Sequence, residues 1–306
     1  MSILSTIIPI FAIILIGYLA RKKGFIPTEF IGPANTLVFY LAIPAMVFSA
    51  ISRASLTTHF NIGILLISLA MVVVCFILAW LNGNFFRIHA NQLGSFIQAS
   101  SHGNLGYIGL AVAFYYLGES GFVKASILTG FMMILQNLLS VLALTIHARQ
   151  PGAANHTMIV AKNIGANPVV LSAMAGIVCS LMAIPVPFII QRSLDILSGL
   201  ALPMALLIIG ASITFQELRR RLKSALSAVA IKLILMPALG YLCFVAMGFD
   251  TQDFLPALIL LASPSATVSY VMAKEMKGDQ DFAVIAISLS TALSAITYSL
   301  WLQLAT

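Results

Sequence analysis

The stretch Ser100–Gly109, with the sequence SSHGNLGYIG, places polar residues and three glycines inside a long apolar segment. Glycine lets the backbone leave the helical conformation, and an asparagine at such a break can cap a helix or donate to a ligand. A second apolar segment contains Pro264 among serine and threonine side chains. Non-helical backbone at membrane depth is tolerated only where protein buries it or water reaches it, so both stretches predict a helix break beside a polar cavity.

Two such breaks would each present the N-terminus of a half-helix, with unpaired N–H groups and a partial positive charge. This arrangement predicts an anion site; the alternative is that the glycines only permit close helix packing. The predicted substrate-binding residues are Asn104, Gly106, Tyr107, Ser263, Pro264, Ser265 and Thr267. The predicted helix-break or gating residues are Gly103, Gly109, Pro44 and Pro203.

The nine carboxylates all fall in loops or at the ends of apolar segments. Their position disfavours an antiporter built on buried carboxylates and suits an anionic substrate. His102 adjoins the first break and would either couple protonation to transport or satisfy a freed carbonyl. Lys232 lies inside an apolar segment, where snorkelling to the interface or packing at a helix end is favoured over a role as substrate counter-charge. Further candidates for coupling or support are Gln136, Asn137 and Tyr270.

The composition is that of an integral membrane protein. Of the 306 residues, 60% are hydrophobic and 8% are charged, and the mean hydropathy is +1.04. Segments of about 20 apolar residues cross a bilayer as helices. The sequence predicts ten of them, at 3–20, 33–51, 61–81, 93–117, 122–147, 167–184, 194–213, 225–247, 254–273 and 282–303. No metal, phosphate-loop or nucleophile motif appears, so neither a metal site nor a bound cofactor is expected.

The basic residues fall in alternate loops between the predicted spans. Most lie in the loops on one side, whereas only Arg53, Lys124 and Arg192 lie in loops on the other. Because cytoplasmic loops carry the excess of Lys and Arg, this asymmetry predicts that both termini lie outside the plasma (inner) membrane. The charges form no single basic face, so a nucleic-acid partner is not expected.

The chain repeats itself. Pro9, Gly17 and Pro44 recur in the same order and at one constant separation as Pro168, Gly176 and Pro203. Five predicted spans in each half, an odd number, require the halves to lie in opposite orientations. The sequence therefore predicts one all-α membrane domain, with a first five-helix repeat at 1–150, a cytoplasmic linker at 151–166 and an inverted repeat at 167–306. Helices four and nine would be the interrupted pair.

Several segments resemble the auxin efflux carrier family, which includes bacterial malonate and malate transporters. GNLGYIGLAV, from Gly103, is similar to an element of the family's fourth span, with Ala111 in place of the usual proline. NPVVLSAMAG, LALPMALLIIGASI, KLILMPALG and ASPSATVSYVMAKEM look like parts of its sixth to ninth spans. The resemblance implies the bile acid/arsenite/auxin transporter-like fold, with crossed helices four and nine, a scaffold bundle and a moving bundle.

The expected function is secondary active transport of a small organic anion, a mono- or dicarboxylate such as malonate or malate, by alternating access. Proton or sodium coupling stays open, as does a homodimer. The alternative within transport is a ten-span drug or metabolite exporter, whose termini would lie in the cytoplasm. A membrane enzyme would want clustered titratable groups at the cavity, which the sequence lacks. A sensor would normally carry a signalling domain.

Overall fold

A computed structural model describes residues 3–53, 61–147, 167–214 and 218–306. Within these ranges every regular element is a helix, as the sequence predicts. The helices are α1 (Ile3–Lys22), α2 (Thr28–Leu37), α3 (Ile43–Ser52), α4 (Ile62–Phe85), α5 (Ala90–Ser101), α6 (Leu110–Ile146), α7 (Pro168–Leu181), α8 (Phe188–Ser212), α9 (Leu218–Ala230), α10 (Met236–Ala246), α11 (Thr251–Leu261), α12 (Val268–Glu275) and α13 (Gln280–Ala305). The predicted linker at 151–166 lies outside the described residues.

Seven helical stretches among the described residues are long and apolar enough to cross a membrane. They are Ser5–Lys22, Thr28–Ser52, Ile62–Phe85, Leu105–Ile146, Phe188–Ser212, Arg221–Ala246 and Gln280–Ala305. Two further apolar helices, α7 and α11, are shorter. The predicted spans at 93–117 and 122–147 are joined through α6, where Gly118 leaves helical geometry with φ 70° and ψ −163°. That conformation is essentially restricted to glycine.

Three π-helical turns connect or begin helices: Val38–Ala42, Leu105–Gly109 and Ile231–Leu235. In such a turn each N–H donates to the carbonyl five residues before it, instead of four as in an α-helix. The turn between α9 and α10 lies just before Pro237, which has no N–H to donate to the carbonyl of Leu233. The indole Nε1 of Trp301 donates to that carbonyl instead, at 2.8 Å. Wide turns and a side-chain donor thus accommodate a proline without breaking the span.

The sequence predicts helix breaks at Pro44 and Pro203, and the structure continues through both. Pro44 lies in the first turn of α3, directly after the π-helical turn Val38–Ala42, where its missing N–H costs least. Pro203 lies inside α8, which runs from Phe188 to Ser212. Helix α8 is therefore not interrupted at Pro203, and a gating role for either proline stays a prediction.

The helices pack in two groups. In the first, α1 lies along α8, while α3 packs on α7 and α8. In the second, α4 packs on α5 and α10, α6 on α11, and α9 on α13. The two groups touch mainly through α1 against α13 and through α6 against α3 and α7. The interrupted stretches belong to the second group.

Candidate functional site

At both predicted interruptions the chain leaves helical geometry, and the structure brings the two stretches together. Helix α5 ends at Ser101 and α11 ends at Leu261, and the chain resumes helical geometry at Leu105 and Val268. Between these ends Gly103 and Ser265 form an antiparallel backbone bridge. We call the paired segments 102–104 and 262–267 the crossing. The N–H of Asn104 donates to the carbonyl of Pro264 at 2.7 Å, and the N–H of Ala266 donates to the carbonyl of His102 at 2.9 Å.

Side chains at the crossing satisfy the carbonyls that the helix ends leave free. The hydroxyl of Ser265 donates to the carbonyl of Ala99 at 2.7 Å, and so caps the other interrupted helix. The hydroxyl of Ser263 donates to the carbonyl of Leu260 at 2.7 Å. The phenol of Tyr298 donates to the carbonyl of Ile259 at 3.1 Å. These bonds explain why the chain can be non-helical here, since an unpaired carbonyl in an apolar environment is costly.

Asn104 carries a buried donor without a partner. Its side chain is 5% exposed, and its Oδ1 accepts the N–H of Tyr107 at 3.3 Å, as expected for a helix cap. Its Nδ2 is buried and makes no hydrogen bond. A buried donor left unpaired costs about 1–3 kcal/mol. A ligand acceptor would remove that cost, so the amide nitrogen is a candidate contact for substrate.

Helix α6 contributes polar side chains against the same stretch. His102 lies within 2.8 Å of the Ser140 hydroxyl through its Nδ1. Gln136 is one helical turn before Ser140, and therefore on the same face of α6. The side chain of Gln136 is buried, and neither its amide oxygen nor its amide nitrogen has a hydrogen-bond partner. The neighbouring Asn137 is half-buried.

Lys232 lies at the carbonyl end of a neighbouring helix and not at a membrane interface. It lies in the π-helical turn Ile231–Leu235 and is 0% exposed, so it does not snorkel to an interface. Its Nζ donates to the carbonyl of Leu261 at 2.7 Å, and its other contact is the sulfur of Met236 at 3.5 Å. Snorkelling fails because the nearest acceptor is the free carbonyl end of α11, which attracts a cation through the helix dipole.

Most of the other predicted site residues lie at or next to the crossing, with differing exposure, whereas Pro44 and Pro203 do not. Pro264 and Ser265 are buried within it, while Thr267 directly precedes α12 at the N-cap position and makes no side-chain cap hydrogen bond. Gly106 and Gly109 are buried in the π-helical turn that follows Asn104. Tyr270 is 37% exposed on α12. Pro44 and Pro203 belong to α3 and α8, in the first helix group.

A cavity of about 640 Å³ lies at the far end of α11 from the crossing. Its lining includes Tyr116, Lys124, Gln252 and Thr306. Because α11 has 11 residues, its two ends are about 16 Å apart. Lys124 is paired with Asp253 at 2.6 Å. This cavity is therefore separate from the crossing.

Sequence reasoning missed three polar residues that support the crossing. The hydroxyl of Ser290 accepts the N–H of Ser265 at 3.0 Å, from α13. Ser140 holds the His102 ring, and Asn35 accepts a hydrogen bond from the phenol of Tyr107 at 2.6 Å. Each is one of several polar residues in its helix. That signal is shared by many serines which only bond back to their own helix.

The bond between Tyr107 and Asn35 joins the two helix groups, since Asn35 belongs to α2, which packs on α8 of the first group, and Tyr107 follows the crossing. We expect Tyr107→Phe and Asn35→Leu each to lower the free energy of unfolding by about 0.6–1.7 kcal/mol, the range for hydrogen bonds between membrane helices. The free energy of unfolding of the double variant should be little lower than that of either single variant, because both substitutions remove the same hydrogen bond. Thermal unfolding of the four proteins in detergent measures the coupling. Tyr241→Phe is the control, because its hydroxyl makes only a long, exposed bond of 3.4 Å; fully additive losses would contradict the prediction.

Curated proteins of similar sequence cover nearly the whole chain. A "Putative malonate transporter" of Rhizobium meliloti (strain 1021) is 29% identical over 306 residues, covering 97% of this chain and 93% of that protein. An "Uncharacterized transporter" of Methanothermobacter thermautotrophicus is 25% identical, with 97% and 96% covered. The "Uncharacterized transporter YfdV" of Escherichia coli (strain K12) is 22% identical, with 97% and 95% covered.

The family described as "Membrane transport protein" matches residues 2–302. The match spans both interrupted stretches and all helices of both groups except the last three residues of α13. It agrees with the apolar helices of the structure and with the resemblance found in the sequence. The chain is a multi-pass integral membrane protein and not an enzyme, and it belongs to the membrane transport protein family of the auxin efflux carriers.

Proposed function

We propose that the chain is a secondary transporter that moves a small organic anion, a mono- or dicarboxylate of the malonate or malate kind. The observation that carries the proposal is the crossing, where two interrupted helices meet and Asn104 holds a buried, unpaired amide donor. The name of the Rhizobium meliloti relative supports a carboxylate as substrate. No carboxylate takes part in the described bonds of the crossing, which favours an anion over a cation.

The proposed mechanism is alternating access, with the second helix group rocking against the first. The limited contact between the groups supports this division. The crossing is held within the second group by backbone and side-chain bonds, so it would move with that group as a unit. The bond between Tyr107 and Asn35 would break and re-form as the groups move.

The proposed architecture is ten spans in two inverted repeats, 1–150 and 167–306. The stretch Leu105–Ile146 has 42 residues, or about 63 Å of helix, which is twice the thickness of the hydrocarbon core. A reversal at Gly118 would divide it into two spans. The repeat-related Gly17 and Gly176 support the symmetry, because one packs against α8 and the other against α3. Both termini would then lie outside the inner membrane, which a reporter tag on each terminus tests.

Transport is tested by uptake of labelled malonate and malate into proteoliposomes, with a proton and a sodium gradient imposed separately. Asn104→Asp is the informative variant, because aspartate keeps the oxygen that caps Tyr107 but replaces the donor with a negative charge. We expect it to lower the initial rate about 10- to 100-fold, since a hydrogen bond to a charged group contributes about 1.5–3 kcal/mol.

The matched control is Asn61→Asp. Asn61 caps α4 in the same way, through Oδ1 to the N–H groups of Gly63 and Ile64, at an exposed position away from the crossing. It should keep the parent rate. Equal rates for both variants would remove Asn104 from the site, and no carboxylate uptake by the parent protein would refute the proposed function.

A further inference from the structure

Lys232 is a fully buried lysine whose contacts leave it without a negative partner. Its Nζ reaches the carbonyl of Leu261 at 2.7 Å and the sulfur of Met236 at 3.5 Å. The three ion pairs among the described residues join Arg53 to Asp195, Lys124 to Asp253 and Arg221 to Asp279, and none includes Lys232. Of the titratable groups, Cys75 and His102 lie close enough to interact with it electrostatically.

A lysine in this position is costly to keep. Burying a charge away from water carries a penalty of several kcal/mol, which a full counter-charge offsets far better than a carbonyl dipole. Leucine or methionine would fill the same space among apolar helices without that penalty. Ionisable residues inside membrane segments are therefore functional candidates, with the partner still to be named.

The geometry places the amine at the crossing itself. A Cβ atom built on Gly103 would lie 3.0 Å from Cε of Lys232, 3.2 Å from its Nζ and 2.4 Å from the hydroxyl of Ser263. The absence of a side chain at position 103 thus makes room for the lysine head beside the backbone bridge. Gly103 also directly precedes Asn104, whose Nδ2 is unpaired. A cation and a neutral donor therefore flank the same stretch of backbone.

We propose that Nζ of Lys232 is the counter-charge for one carboxylate group of the transported anion, with neutral donors such as Nδ2 of Asn104 left for the rest of the molecule. The inference rests on the proposed function and deepens it, because it assigns a full positive charge to the site. Lys232, Ser263 and Ser265 are all buried, so the anion reaches the amine only when the helices around the crossing separate. When a carboxylate binds beside the ammonium group of Lys232, the two opposite charges compensate each other. Neither charge is then left unpaired in a low-dielectric environment.

The competing explanation is that Lys232 only caps the carbonyl end of α11. Lys232→Gln separates the two roles, because glutamine can still donate to Leu261 but carries no charge. Lys232→Met removes both the donor and the charge at similar volume, and Lys232→Arg keeps the charge. Lys124→Gln is the matched control, since Lys124 is paired with Asp253 beside the separate cavity.

The measurements are the KM for malonate uptake in proteoliposomes and the rise in melting temperature that malonate causes in the purified protein. For Lys232→Gln we expect a KM raised about 30-fold or more, and loss of the malonate-induced rise. Lys232→Arg should retain part of both, and Lys124→Gln should match the parent protein.

A Lys232→Gln protein that folds and keeps the parent KM within about twofold would overturn the inference and leave the capping role. If that variant does not fold, Lys232→Met is judged by the same two measurements; failure of both uncharged variants to fold would assign Lys232 to packing and likewise overturn it. Absence of carboxylate transport by the parent protein would instead refute the proposed function, so the two failures are distinguishable.

Discussion

We expect Gly103→Ala to impair transport strongly, and we expect removal of the Ser263 hydroxyl to restore part of that transport. The added Cβ would lie 2.4 Å from the Ser263 hydroxyl, closer than real Cβ contacts, and 3.0 Å from Cε of Lys232. Either the hydroxyl gives up its bond to Leu260 or the backbone bridge to Ser265 shifts. Overpacking of this kind costs about 1–3 kcal/mol. Because the crossing is also the proposed site, we expect malonate uptake to fall at least about tenfold, the equivalent of 1.4 kcal/mol.

The rescue is the double variant Gly103→Ala/Ser263→Ala. It removes the oxygen that the new methyl group meets, while Leu260 still accepts the N–H of residue 263 at 3.2 Å. The double variant should therefore unfold at a higher temperature, and transport faster, than Gly103→Ala alone. A double variant whose losses are the sum of the two single losses would show that the methyl group acts elsewhere.

Gly210→Ala should separate α1 from α8. A Cβ on Gly210 would lie 1.9 Å from the carbonyl oxygen of Ile14 and 2.9 Å from the backbone nitrogen of Tyr18. These are backbone atoms, so no side-chain rotation relieves the clash, and the two helices must move apart. Small residues let helices approach closely in membranes, where packing replaces the hydrophobic effect as the main attraction. We expect a loss of about 1–3 kcal/mol or more and a clearly lower melting temperature.

The control for this variant lies on the same helix. A Cβ on Gly199 would meet no atom within 4 Å, so Gly199→Ala adds the same methyl group to α8 without a clash. It should leave stability unchanged or raise it by about 0.5–1 kcal/mol, as alanine is the better helix former. Gly17→Ala, whose Cβ would lie 2.2 Å from the carbonyl oxygen of Leu207, should behave like Gly210→Ala. Stability losses that are equal at positions 199 and 210 would contradict the packing argument.

The interrupted stretches could be predicted from the sequence because their cause is local. Glycines, Asn104 and Pro264 in apolar segments conflict with continuous helix, whatever surrounds them. The cap made by Asn104 follows from the same local chemistry. The apolar spans are similarly local, since about 20 hydrophobic residues suffice for each one.

The partners of the crossing could not be predicted, because they depend on which helix faces it. The sequence is compatible with snorkelling, helix-end packing or a counter-charge role for Lys232, and only the packing of α10 against α11 places its amine on Leu261. Asn35 and Ser290 are ordinary polar residues in sequence, yet one bonds Tyr107 and the other bonds Ser265. Pro203 shows the opposite relation, because the proline alone suggests an interruption whereas α8 continues through it.

The hydroxyl of Ser265 caps a carbonyl that precedes it by 166 residues, and the backbone of each interrupted stretch completes the other. At about 5–20 residues per second, roughly 10–30 s of synthesis separate the two. During that interval the earlier stretch has exposed carbonyls and must be shielded by water, lipid headgroups or the insertion machinery. Ribosome-bound chains that end before α11 should thus be recognised as incomplete by membrane quality control, whereas release of the finished chain should end that vulnerability.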